Sequence, residues 1–203
     1  MFNKLFISLL LVIGVTAVHA QAYERSIEQH RVHYKQEFLE AENSPLVKSD
    51  LKNLRFFNVN PSYLVNAIFE RILDTTGFDM HTHSGKNKKY VVYGKVIFTL
   101  QKQKHILYMY QSVALREKKG MEDYLFIPFS DGTNGVETFG GGRYLDFRMK
   151  DIFDNKIILD FNKAYNPYCA YKGGYSCPIP PDENKLKILI EAGEKNFVGM
   201  LKE

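Results

Sequence analysis

Between residues 23 and 42 the side chains Tyr23, Ile27, His30, Tyr34, Phe38 and Ala41 recur every three to four positions, with charged residues between them. That period predicts one amphipathic helix, stopped by Asn43-Ser44-Pro45. A short helical turn over 49–54 follows, with Ser49 as its expected cap. Past Pro61 the period falls to two. Tyr63, Val65, Ala67 and Phe69 share one face of a strand over 63–69, and 78–82 reads as another. The clearest hairpin joins 90–100 to 105–113 through the polar Gln101-Lys102-Gln103-Lys104. Segments 124–129, 136–139, 143–148 and 156–161 complete the series, with turn dipeptides in Asp131-Gly132-Thr133-Asn134-Gly135. Seven or eight short strands and no strand–helix alternation predict a mainly β (α+β) fold, an antiparallel barrel or a twisted sandwich.

The pattern breaks in the stretch from 160 to 195, which holds both cysteines and four of the seven prolines. Proline removes a backbone donor and Gly173-Gly174 supplies a turn, so this is an irregular, shaped loop. Long ordered loops in compact domains are usually functional or cross-linked. Cys169 and Cys177 are the only thiols, and their even number predicts a disulfide. The ring contributes roughly 2.5 kcal/mol, enough to pin the loop rather than to hold the domain. A zinc site would need more ligands than two sulfurs, and the loop has no histidine.

The words ETFGGGRYLD, LDFNKAYNPYCAY, SCPIPPDEN and EAGEK resemble the family called domain of unknown function 1684. The resemblance covers most of the chain after the first helix, and it implies no activity.

The N-terminus reads as a leader. Lys4 provides a positive start, 5–18 is almost unbroken apolar sequence, and small residues follow at Ala20 and Ala22. The run is short for a membrane span. A signal peptide over 1–22, cleaved after Ala20 or Ala22, is therefore expected, with export to the periplasm or the medium. One domain is expected over 23–203: a helical part (23–54), a sheet core (55–161), and a stapled loop with C-terminal extension (162–203). The mature chain has no further segment apolar enough to span a bilayer. Without Lys4 the net charge of +4 becomes +3, and the lysines are scattered, so nucleic acid is not an expected partner. With 15 Phe, 13 Tyr and no Trp the aromatic load suits strands.

Two readings stay open for Gly140-Gly141-Gly142-Arg143: a cradle where backbone and guanidinium meet an anion, or a tight corner with Arg143 paired to Glu137 or Asp146. The densest recognition chemistry lies in Glu137, Gly140, Gly141, Gly142, Arg143, Tyr144, Asp146, Asp160, Asn162, Tyr165, Asn166, Glu183 and Asn184. These form either a site or a solvated face. His81-Thr82-His83 reads as a solvated turn rather than a metal site, and His30 as a boundary residue. The signature words carry no histidine for nucleophilic catalysis, and phosphate-cradle and flavin motifs are absent, so no cofactor is expected. The leading expectation is a binding module for a small, anionic ligand. The alternatives are a carboxylate-based enzyme and a structural protein docking on an envelope partner.

Overall fold

The computed structural model describes the backbone of residues 3–73 and 76–201, and side chains from residue 20 within those limits. The expected leader therefore falls largely outside the described side chains. Its backbone belongs to α1 (Asn3–Glu40), one continuous helix. No helix among the described residues is long and apolar enough to cross a membrane. Ile27, Arg31 and Phe38 are buried on α1, and Tyr23, His30 and Tyr34 are half-buried, so the helix packs through the face its spacing predicts. The turn at Leu51–Asn53 starts from Asp50 without a side-chain cap, so Ser49 does not cap it as expected.

Seven antiparallel strands follow: β1 (Leu64–Arg71), β2 (Phe78–His81), β3 (Asn87–Leu100), β4 (Gln103–Ser112), β5 (Tyr124–Phe129), β6 (Arg143–Arg148) and β7 (Lys156–Asp160). A four-residue helix, α2 (Val113–Arg116), separates β4 from β5. The strand order is β6-β5-β4-β3-β1-β7, with β2 on β3. One edge of the long β3 takes β2 at residues 87–90 and β1 at residues 94–98. It bends between these pairings at a bulge near Gly94, where a Cβ would lie 2.7 Å from the carbonyl oxygen of Glu70.

The bend curls the sheet into a half-barrel. Leu145 and Phe147 of β6 share one core with Ile157 and Leu159 of β7, although these strands stand at opposite ends of the sheet. The interior is filled by the chain's own tail. Leu186, Ile188, Ile190 and Ala192 are buried alternately, the period of an extended strap. Neither a closed barrel nor a two-sheet sandwich is needed, because the strap supplies the missing inner layer.

The expected strand over 136–139 does not form. Thr133 O accepts from the backbone N–H groups of Val136, Glu137 and Thr138, which folds this stretch into a tight loop. The alternation there misleads because Asp131 and Thr133 offer nearer partners than any neighbouring strand: Asp131 Oδ1 accepts from Thr133 N (2.8 Å) and Thr133 Oγ1 (2.7 Å).

Candidate functional site

Arg143 lies in the interior, fully buried, and its partner is neither Glu137 nor Asp146. It donates through Nη2 to Asp131 Oδ2 (2.8 Å) and Ile190 O (2.8 Å), and through Nη1 to the carbonyls of Ala192 and Glu194. In an extended segment alternate carbonyls point the same way, so one planar guanidinium can grip three of them. Asp131 Oδ1 also accepts from Ile190 N (3.2 Å). Arg143 is thus clamped to the strap. The glycines before it make the corner: Gly142 has φ +86°, and a Cβ there would lie 2.7 Å from Phe129 O.

Most of the other expected site residues are also engaged within the protein. Glu137 pairs with Lys195 (2.9 Å). Asn162 bonds Tyr23 and the backbone of Asn60, and Asn166 donates to Lys195 O (2.8 Å). Glu183 accepts from the Tyr110 hydroxyl (3.0 Å). Asn184 accepts from Tyr108 N (2.6 Å) and donates to Tyr108 O (2.8 Å) and Pro128 O (2.7 Å). Pro128 has no N–H to offer a ladder, and the Asn184 amide fills that gap between β4 and β5. Asn184→Ala should strand these backbone groups and cost about 1–3 kcal/mol, read from the urea midpoint.

Four of the thirteen, Tyr144, Asp146, Asp160 and Tyr165, meet in a cleft of about 1090 Å³. It lies along the seam where β6 and β7 do not pair. Tyr23, His30, Tyr34 and Glu37 of α1 form its roof, and Tyr168, Tyr175 and Pro178 of the cysteine loop line one end. The loop holds this shape through the Cys169–Cys177 disulfide, Cα atoms 6.3 Å apart, and through ring contacts of Tyr168 with Phe38 (5.7 Å) and Tyr175 (5.3 Å). Cys169→Ser combined with Cys177→Ser should leave the sheet's unfolding midpoint within about 2.5 kcal/mol of the parent, while protease cutting moves into 169–177.

Asp146 is open to water along the cleft, yet protein surrounds it on the other sides. The hydroxyls of Tyr124 (2.7 Å) and Tyr165 (2.8 Å) both donate to Oδ1. Oδ2 has no hydrogen-bond partner among the described residues. Desolvation pushes its pKa up to about 6, the two phenols oppose the rise, Glu37 across the cleft adds to it and Arg148 lowers it. Asp160, at the other end, accepts from Tyr23 Oη (2.8 Å). His30 is drawn below its ordinary pKa by burial and then by Lys163.

A second carboxylate, Glu194, is fully buried behind the roof. Tyr171 Oη donates to its Oε1 (2.7 Å), and Tyr34 Oη (2.9 Å) and Asn166 N (2.9 Å) donate to Oε2. The two phenol oxygens also lie 2.9 Å apart. Both hydroxyl protons are spent if Glu194 is ionised, which leaves that contact without a proton. A protonated Glu194 closes the ring: Oε1–H to Tyr171, Tyr171 to Tyr34, Tyr34 to Oε2. Burial raises its pKa to about 7, and Asn166 N–H and the two phenols oppose the shift.

Sequence reasoning missed the roof, Tyr124 and Glu194. The signal for the roof was present, since His30 and Tyr34 lie one turn apart on the buried face. His81 bonds Asn87 (2.9 Å) and His83 packs on Phe139, so the two histidines do not converge. Among the described residues no three metal-ligating side chains cluster.

A curled antiparallel sheet, plugged by its own tail and roofed at the seam by a helix, defines a scaffold class with a cleft at its side. The family model for a protein of unknown function, DUF1684, matches residues 49–195, and the chain belongs to this family. The match takes in Asp146 and the strap but stops short of α1, so the roof lies outside it. The chain is similar to the solution NMR structure of the uncharacterized protein from gene locus rrnAC0354 of Haloarcula marismortui. They share 28% identity over 90% of this chain and 98% of that one, with a TM-score of 0.68. Among curated proteins none matches.

Proposed function

We propose that this protein is an exported binding module that holds a small molecule in the seam cleft beneath α1. The observation that carries the reading is Asp146, oriented by two phenols on one oxygen and bare on the other, in the wall of a cleft of ligand size. The expected anionic ligand drew on Arg143, whose charge is now accounted for inside the fold. Support for export comes from the apolar leader and the disulfide. Intact mass of protein from the periplasm or medium should give a chain starting at Gln21 or Tyr23. A chain retaining Met1 would overturn that part.

Native mass spectrometry of protein gently purified from its own host tests the binding reading. A bound small molecule lost on Tyr165→Ala is the expected result, and an empty protein counts against it. A second reading, proton transfer by Asp146, draws on its pKa of about 6 beside two phenol donors. Chemical change of the recovered molecule on incubation with the protein would favour it. Of the cysteine loop's rings, Tyr168 and Tyr175 line the cleft and Tyr171 is buried, so they do not form a flat patch, which weakens the partner-docking reading.

A further inference from the structure

We propose, resting on the binding-module reading, that the cleft selects an organic cation, a protonated or quaternary amine whose nitrogen seats on Asp146 among the rings of Tyr34, Tyr144 and Tyr165. The argument begins with what Asp146 lacks. Its orientation is fixed by Tyr124 and Tyr165, but no cation is paired with it. The nearby Arg148 is committed elsewhere, to Asp123 (2.6 Å) and Gly120 O (2.9 Å). Glu37 adds a second negative charge from the roof.

The rings complete the picture. Tyr165 lies 5.8 Å from Tyr144 with their planes at 86°, and 5.9 Å from Tyr34 at 51°, and all three line the cleft that holds Asp146. Aromatic faces attract cations, and they do so most strongly where water is partly excluded. An anion here would meet two carboxylates. A neutral guest would leave the charge on Asp146 unmatched, and one without an O–H or N–H would leave Oδ2 unpaired as well. A cation supplies the opposite charge that Asp146 lacks and is attracted by the ring faces as well.

Lys88 and Lys163 also line the cleft, and neither is in an ion pair among the described residues. Their positions do not spoil the site. Lys163 acts on His30 at the Tyr23 end, and Lys88 is shifted by burial with no charged neighbour contributing. Among charged groups, Glu37 and Arg148 act most strongly on Asp146.

The test is calorimetric titration of the full mature protein with four matched probes: phenethylamine, 2-phenylethyltrimethylammonium, 2-phenylethanol and 3-phenylpropionate. The two cations should bind at least about tenfold more tightly than the alcohol and the carboxylate. In Asp146→Asn, checked for folding by circular dichroism, cation affinity should fall to the level of the alcohol. Equal binding of all four, preference for the carboxylate, or no binding of either cation would overturn the inference. The wild-type panel decides it even if the variant fails to fold. If the cations fail while native mass spectrometry recovers another bound molecule, only the cation inference falls. If that measurement is also empty, the binding-module reading falls with it.

Discussion

Arg143→Ala will lose about 3–5 kcal/mol of stability, the cost of leaving a buried charge without its partner. A domain's whole margin is only about 5–15 kcal/mol, so this loss removes a large share of it. Buried ion pairs can often be replaced by apolar residues at no loss, and this one should differ. The guanidinium also satisfies the carbonyls of Ile190, Ala192 and Glu194. A double variant, Arg143→Met with Asp131→Leu, removes both charges yet strands those carbonyls and the Ile190 N–H. It should remain destabilised by several kcal/mol. Urea unfolding of the two variants beside the parent checks this. A double variant as stable as the parent would show that the strap does not need the clamp.

Stability will fall as pH rises from about 4.5 to 7. Glu194 has a folded pKa raised to about 7 from an ordinary 4.5. Between those values the folded protein keeps a proton that the unfolded chain releases. The stabilisation is therefore complete below pH 4.5, is lost progressively up to pH 7, and is flat above. The slope approaches about 1.4 kcal/mol per pH unit at most. Asp146, raised to about 6 from 3.8, acts in the same direction at the lower end. Glu194→Gln should reproduce the closed ring of the protonated acid, its amide donating to Tyr171 and its oxygen accepting from Tyr34 and Asn166 N. The variant should match the parent near pH 4.5 and exceed it at pH 7.5, measured by urea midpoints across the range. An unchanged slope would mean that Glu194 does not hold the proton.

The strands were legible where local pairing decides them. The β3–β4 hairpin and the buried face of β1 follow from alternation alone, and the cysteine spacing named the staple. What escaped is non-local. Residues 136–139 alternate like a strand, but Thr133 O, a few residues away, captures their N–H groups first. The expected charge partners of Arg143 were nearby carboxylates. Its observed partner is Asp131, with three carbonyls some fifty residues further on, a pairing fixed by how the tail threads. The cleft was half visible for the same reason. Tyr144, Asp146, Asp160 and Tyr165 stand in recognisable words, but their roof comes from α1, more than a hundred residues earlier. Period alone marks that helix face as buried and cannot say against what.

The strap also sets an order of events. Leu186 to Ala192 fill the hollow of the sheet, so the strands have no complete interior to close upon until the last part of the chain is present. During synthesis from the N-terminus the strands emerge long before their plug, and the closing contacts span large sequence separations. Such a chain should stay unfolded and protease-sensitive while it is being made, then fold once the strap has emerged. Any step that requires an unfolded chain stays open until residues 186–192 have been made.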